Sequence, residues 1–397
     1  MTLLNADRLH RKMEERKLDA VIATCPENVT YTSGYWALSQ WIRRGPQTYV
    51  VMPRASAGEP FIVASAGLLD LIIDQPVAVH NVRKFGKFVV EVDRSAALSD
   101  MQRRQATLQD LPDDGTPFDA LRKGLEALGF SSGRVGVDEA GMWPTVLAEL
   151  RAAFPGIAFE PAADLFRAVR AVKTPEEIAR LKRAAGIAER SIEAALKIAA
   201  PGVTEAELGI AFNLETVRLG GEPVLWCIGA GPRSAMMNVQ PGERALRMGD
   251  IIRFDAGGRY RHYRADIARI AVLGEPTAKT RTYHKALLNG VEYAYEAIRP
   301  GVTARDVFHG MVDVVRRAGI PHYDRSHVGH GIGLDGYDLP DLTAGSADVF
   351  EEGMVLCVET PYYELGFGGL QVEDMAVVRQ DGLESLMSSD GALKVLS

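Results

Sequence analysis

The chain has 397 residues, room for two to three domains at about 150 residues each, and its 47% apolar and 24% charged residues exclude a disordered or collagen-like polymer. Its net charge of −7 comes without any basic block, which argues against a nucleic-acid partner. No run of about 18 apolar residues is present to make a membrane partner plausible, and the charged N-terminus lacks the apolar core of a signal peptide. Three scattered cysteines, Cys25, Cys227 and Cys357, fit neither a disulfide framework nor a cysteine-based zinc site, so a reducing, cytoplasmic setting is expected.

In chain order, residues 5–17 read as an amphipathic helix with Leu9 and Met13 inward. Strands follow at 18–23, at 49–52 (stopped by Pro53), at 61–64 and at 134–137, with helical patterns at 117–129 and 142–154. Alternation of this kind predicts an α/β N-terminal domain. It contains neither a dinucleotide-binding glycine fingerprint nor a phosphate loop. Residues 160–173 read as a linker. At Thr174-Pro175-Glu176-Glu177 an N-cap, a proline at the first helical position and a capping-box glutamate open a long helix. The domains are therefore expected at 1–165 and 166–397.

The second domain carries an internal repeat. Pro201-Gly202-Val203-Thr204 recurs ninety-nine residues on as Pro300-Gly301-Val302-Thr303. Each copy follows one helical pattern (175–199 and 281–298) and opens another through its threonine, with Glu207 or Asp306 three residues later. Strand-rich sequence comes after each. The order helix, helix, strands, used twice, predicts a pseudo-twofold α+β domain.

Chemistry concentrates in two hairpin-like segments of this domain. Asp255 and Asp266 flank a glycine-containing stretch whose glycines, Gly257 and Gly258, signal a bend that would set the two carboxylates side by side. Taken alone, that segment reads equally well as a solvated turn with two unrelated aspartates. Glu359 ends the apolar strand Val355-Leu356-Cys357-Val358, and Glu373 stands fourteen residues later on the returning strand. The separation is even, so both glutamates can face one side of the ribbon. A carboxylate placed after such an apolar run is either paired or holds a cation. Between the hairpins His330 sits in Gly329-His330-Gly331, where glycines allow the backbone to approach a site closely. Four carboxylates and one imidazole can be shared by two divalent cations, which is equipment for hydrolysis at neutral pH.

This set and its order resemble the creatinase, prolidase and aminopeptidase P family, which combines a creatinase-type N-terminal domain with a pita-bread catalytic domain. The resemblance covers nearly the whole chain. It runs from Arg170-Ala171-Val172-Lys173-Thr174-Pro175 through the Asp255/Asp266 hairpin and Gly329-His330-Gly331-Ile332-Gly333-Leu334 to Glu359 and Val372-Glu373-Asp374. It implies that Asp255, Asp266, His330, Glu359 and Glu373 ligate two divalent ions, manganese, cobalt or zinc, with Glu359 handling protons at a hydroxide held between them. It also implies a homodimer.

Five positions depart from the family's pattern. Asn238, Ser326 and Tyr337 stand where peptidases of this kind usually carry histidine, Ala268 where threonine is common, and Gln371 where arginine is frequent. The expected ligands are complete while the surrounding substrate shell is rewritten. His327, one step from the missing histidine, and Tyr337 are candidates for proton transfer beside Glu359. Asn238 and Gln371 are candidates for substrate binding. The segment from Tyr35 to Arg44 holds two tryptophans and two arginines; it reads either as a core or dimer contact or as a loop presenting Trp36 and Arg43 to a substrate. The chain is thus expected to be a Xaa-Pro dipeptidase or aminopeptidase-like hydrolase of peptide or amide bonds. The alternative is a hydrolase or lyase of the same fold acting on a small non-peptide metabolite. A non-catalytic binding scaffold fits less well, since such relatives lose ligands that this chain keeps.

Overall fold

The computed structural model describes residues 3–42, 47–93 and 95–397. The chain divides into two compact units, Met1–Arg170 and Ala171–Ser397.

The first unit is built on a six-stranded sheet. Its strands are β1 (Ala20–Ala23), β2 (Tyr49–Pro53), β3 (Phe61–Ser65), β4 (Asn81–Phe85), β5 (Gly133–Val137) and β6 (Ile157–Pro161), in the order β4-β3-β2-β1-β5-β6. The pairs β1–β2 and β2–β3 are antiparallel, the others parallel. Alternate residues, among them Ile22, Val51, Val63 and Val135, pack with Leu121, Leu125 and Leu150 of the helices Pro117–Ala127 and Pro144–Ala153. The first helix spans Ala6–Glu15, capped by Asn5, and stops at Lys17, whose φ of 55° is incompatible with further helix. Helix Pro26–Ser33 left no apolar period to read. Thr32 and Ser33 instead turn their hydroxyls back onto the carbonyls of Asn28 and Val29, at 2.7 and 2.6 Å. The stretch expected to be a linker holds the end of β6 and the helix Ala163–Arg170, whose Leu165, Phe166 and Val169 are buried. Its apolar face is short, and for that reason it escapes a periodicity reading.

The second unit is a mixed helix and sheet domain. Helix Pro175–Ile198 starts with the capping box expected of Thr174 and Glu177, and helix Glu205–Arg218 with that of Thr204 and Glu207. The remaining strands are β7 (Glu222–Ala230), β8 (Ile251–Tyr260), β9 (Tyr263–Arg264), β10 (Ile267–Leu273), β11 (His327–Gly331), β12 (Asp338–Thr343), β13 (Val355–Glu364), β14 (Gly368–Arg379), β15 (Gly382–Ser385) and β16 (Lys394–Leu396). They form one sheet in the order β12-β11-β13-β14-β10-β8-β7, with β9, β15 and β16 attached at its sides. Helices Ala278–Ala297 and Ala304–Ala318 bury Leu287, Val291, Met311 and Val315 against sheet residues including Ile270, Leu356, Val358 and Val372.

The repeat is real in three dimensions. Gly202 and Gly301 have φ of 94° and 90°, and Thr204 and Thr303 each cap the following helix. Each threonine also bridges a residue just before its own strands, Ala245 in one half and Val349 in the other. The two halves join where β10 meets β14.

Glu177 gives this domain a pH-dependent element. It is 1% exposed and accepts hydrogen bonds from the Thr174 amide at 2.7 Å and the Tyr263 hydroxyl at 3.0 Å. Burial outweighs those bonds and pushes its carboxyl up to about 7. An acid whose folded pKa is raised is not penalised below its unfolded value of about 4.3, and costs stability as pH rises toward 7. Glu177→Gln keeps a side chain suited to the capping box and cannot ionise. Its melting temperature relative to the parent is expected to rise by a few °C, an order-of-magnitude figure, between pH 5 and pH 8 in thermal denaturation.

Candidate metal centre and active site

The sheet register sets the site. Across neighbouring strands, Cys227 pairs with Asp255, Asp255 with Ala268, Ala268 with Glu373, and Glu373 with Glu359. Residues directly opposite one another share a face, so this row projects three carboxylates from one side of the sheet. The period of two extends it. Asp266 lies two residues before Ala268, Gln371 two before Glu373 and Arg253 two before Asp255. In the middle Ala268 contributes only a methyl group, which leaves the space between Asp255 and Glu373 to whatever their oxygens hold.

The first hairpin does not bend where the glycines suggested. Its tip is the two-residue turn Arg261-His262, with φ of 46° and 77°, closing Tyr260 against Tyr263. Two consecutive positive φ values match the right-handed twist of the flanking strands. Gly257 and Gly258 lie inside β8 instead. A Cβ on Gly257 would sit 1.7 Å from the Ala265 carbonyl oxygen, so glycine there lets the backbone before Asp266 close onto β8. In the second hairpin Gly366 (φ 92°) and Gly368 (φ 146°) do form the bend.

Oxygen atoms of Asp255, Asp266 and Glu373 all lie within 4.8 Å of one another, and ligand atoms of His330, Cys357 and Glu373 form a second such group. The His330 Nδ1 is 3.0 Å from the Gly331 carbonyl, which leaves Nε2, 4.0 Å from Glu373 Oε1, directed at the carboxylates. Glu359 is drawn aside. Its Oε1 lies 3.0 Å from His327 Nε2, and its Oε2 accepts from Gln371 Nε2 at 3.2 Å. His327 is an odd number of residues from His330; an irregularity in the register of β11 on β12 between them lets both rings serve the site.

Gln371 and Arg253 tie the row together. Gln371 Nε2 donates to Glu359 and, at 3.3 Å, to Glu373; its Oε1 accepts from Arg253 Nη1 and the Tyr363 hydroxyl, both at 3.0 Å. Arg253 is completely buried and also reaches Asp255 Oδ2 at 3.2 Å.

The carboxylates are held at electrostatic cost. Burial raises Asp255, Asp266 and Glu373 above the usual carboxylate range, and their mutual repulsion adds to it. Burial also acts on Glu359, but the His327 hydrogen bond and nearby positive groups outweigh it and hold this acid low. Asp266 Oδ1 is buried with no hydrogen-bond partner. Close acids that repel, an orphaned carboxylate oxygen and an imidazole nitrogen turned toward them are relieved together by divalent cations, so the donor set fits hard or borderline metal ions. Cys357 is fully buried, and burial among these acids keeps it a thiol.

Of the other sequence-derived residues, Tyr337 lays its ring on His330, centroids 4.1 Å apart. Asn238 is exposed in the turn after the short helix Gly231–Ala235. Arg253 donates to the carbonyls of Met236 and Met237, so the backbone leading to Asn238 is fastened to the row. In the N-terminal unit Trp36 stacks on Trp41 at 6.2 Å; Arg43 and Arg44 lie outside the described residues. Arg253 and Tyr363 were missed by sequence reading. Their signal was present, since each shares the strand and the parity of a carboxylate of the row.

Residues 179–380 match Metallopeptidase family M24, and residues 6–172 match the Creatinase/Prolidase N-terminal domain. The chain belongs to metallopeptidase family M24 and is a metal-dependent hydrolase. It is 30% identical over 395 residues, 96% of this chain and 99% of the relative, to an uncharacterized peptidase of Staphylococcus saprophyticus. It is 29% identical over 237 residues, 59% of this chain and 68% of the relative, to the Xaa-Pro dipeptidase of Pyrococcus furiosus. Among solved structures, the Xaa-Pro dipeptidase from Bacillus anthracis superposes with a TM-score of 0.81 at 23% identity, covering 98% of both chains. Dipeptidase PepE from Mycobacterium ulcerans gives 0.78 at 26% identity, covering 98% of this chain and 97% of that one. No helix among the described residues is long and apolar enough to cross a membrane.

Proposed function

We propose that this protein is a Xaa-Pro dipeptidase-like hydrolase whose two divalent ions, manganese, cobalt or zinc, are held by Asp255, Asp266, His330, Glu359 and Glu373. The observation that carries this reading is the single-faced row of buried and half-buried acids with an unsatisfied Asp266 oxygen. The relatives named Xaa-Pro dipeptidase support the substrate class. Bound ions supply Lewis acidity and lower the pKa of water. The residues supply the rest. Glu359, kept ionised beside His327, is the carboxylate that accepts a proton, and Tyr337 covers His330. Gln371 has both amide hydrogens and both oxygen lone pairs engaged, so it positions the two glutamates and has no group left for substrate. Asn238 is the substrate contact on the turn fastened by Arg253. A cytoplasmic homodimer completes the reading.

The test is hydrolysis of a panel of Xaa-Pro dipeptides and tripeptides after reconstitution with each metal. Asn238 cannot titrate, and Tyr337 is pushed up by burial, so two groups that usually aid proton transfer are lost. The expected result is measurable cleavage of a few Xaa-Pro peptides with kcat/KM below about 10⁵ M⁻¹s⁻¹, inside the lower enzyme range. No turnover on any peptide, with cleavage of a small non-peptide amide, would replace the reading.

A further inference from the structure

We propose that Arg269 is a positioning residue: from the reverse face of the sheet it sets the spacing between the two halves of the acid row, and so decides how well two divalent ions are held as a pair. The proposal rests on reading the row as a metal centre and adds what keeps its two sides in register.

The two sides come from different halves of the repeat. Asp255 lies on β8 and Asp266 just before β10, whereas His330, Glu359 and Glu373 lie on β11, β13 and β14. Every distance between these two sets crosses the joint of β10 with β14. Among the described residues that joint is paired at one position, Ala268 with Glu373, while β13 and β14 pair continuously from Val355 to Glu364. One pair supplies little backbone hydrogen bonding to fix the separation of the halves. Arg269 spans the joint. Side chains alternate in face along a strand, so with Ala268 and Glu373 turned to the row, Arg269 and Asp374 stand behind it. Arg269 is buried in the otherwise apolar strand Ile267–Leu273. Its Nη1 donates to both carbonyls of the joint, Ala268 at 2.9 Å and Glu373 at 2.8 Å. Its Nη2 lies 2.9 Å from Asp374 Oδ1 on β14, and Nε and Nη2 donate to Ser389 Oγ at 3.1 and 2.9 Å. All five N–H groups therefore face acceptors.

Behind the guanidinium the fit continues. Glu189, buried on helix Pro175–Ile198, accepts from the Ser389 amide and hydroxyl on Oε1, at 2.8 and 2.6 Å, and from those of Ser388 on Oε2, at 2.9 and 2.7 Å. Ser389 Oγ thus accepts twice from Arg269 and donates once to Glu189, which is its full capacity. Tyr295, on helix Ala278–Ala297, donates to Asp374 Oδ2 at 3.3 Å. The guanidinium is locked by Glu189 from the first half and by Asp374 and Tyr295 from the second. Three buried charges are a costly way to join a sheet if stability were all they supplied, since apolar residues of similar volume hold as well or better. Apolar residues cannot fix two carbonyls to one rigid plane of donors. Outer partners of this kind keep ligand carboxylates in place before an ion arrives, and tight binding of a pair depends on that placement.

The experiment titrates the metal-free protein with manganese(II), cobalt(II) and zinc(II) by calorimetry and records electron paramagnetic resonance of the manganese-loaded samples, in the parent, Arg269→Gln, Arg269→Lys and Ser389→Ala. Arg269→Gln is expected to bind the ions about 10- to 100-fold more weakly, the range for an outer partner of a metal ligand, and to lose the spin-coupled signal of a manganese pair. Arg269→Lys should recover part of both, since an ammonium can still donate to the two carbonyls. Ser389→Ala leaves the guanidinium in place and should lose less. Arg244→Gln separates positioning from stability. It breaks the ion pair with Asp250, 2.7 Å long and just before β8 rather than at the joint, so it should lower the melting temperature and leave affinity and signal unchanged. Parent-like affinity and signal in Arg269→Gln, or equal losses in Arg244→Gln, overturn the proposal. Should Arg269→Gln not fold, Ser389→Ala decides by the same two readouts, and no change in either overturns it. A parent that takes up none of the ions overturns the metal reading and this proposal together. A parent that binds them but cleaves no peptide fails only the peptidase reading, and the role of Arg269 stands.

Discussion

Asp266→Asn is expected to lower hydrolysis by roughly 10³-fold or more, since loss of metal removes several kcal/mol of transition-state stabilisation, and to strip divalent ions from the purified protein. The cause lies in the row. Asp255, Asp266 and Glu373 bring their oxygens within 4.8 Å of one another, and like charges at that range are relieved either by taking up protons or by a cation held among them. Elemental analysis of the variant against the parent reads occupancy directly. Stability should move the other way in the absence of metal. Asp266 is raised well above the ordinary range by burial and by Asp255 and Glu359, so replacing it removes an acid whose ionised form is strained. Metal-free Asp266→Asn should melt at or above the metal-free parent, while added metal should raise only the parent strongly, as a ligand that binds the native state must. A variant that keeps its metal and its activity would show that Asp266 is not a ligand.

Much of this architecture was legible because it is local. The capping boxes at Thr174 and Thr204 and the two Pro-Gly-Val-Thr turns are written in four or five residues each, and they formed as read. The even spacing of Glu359 and Glu373 predicted a common face, and the register pairs them directly. What escaped is non-local. Nothing near Gly257 says that the Ala265 carbonyl will close to within a Cβ's reach, so the glycines were taken for the bend that Arg261-His262 makes. Gln371 was read as a substrate contact because its position stands out in sequence. Its neighbours on β8 and β13, Arg253 and Tyr363, both bond its Oε1, a tie that no local spacing discloses.

His327→Gln, with metal retained, is expected to lower kcat by about 10²-fold, within the range for lost general acid–base catalysis, whereas Tyr337→Phe should cost less than about tenfold. Both residues sit beside the row, and both could in principle move a proton. Their environments separate them. The hydrogen bond to Glu359 raises the His327 imidazole, with burial opposing, so the ring takes up a proton more readily than a free imidazole does. Burial and the surrounding carboxylates push the Tyr337 phenol up, so it keeps its proton throughout the working range. Glutamine can still donate to Glu359 but cannot accept a second proton, so this variant separates holding Glu359 from carrying charge. Phenylalanine at 337 preserves the ring lying on His330 and removes only the hydroxyl. Steady-state kcat at saturating metal, with metal content measured on the same samples, decides the matter. A hundredfold loss in Tyr337→Phe beside a nearly unaffected His327→Gln would transfer the proton-carrying role to the tyrosine.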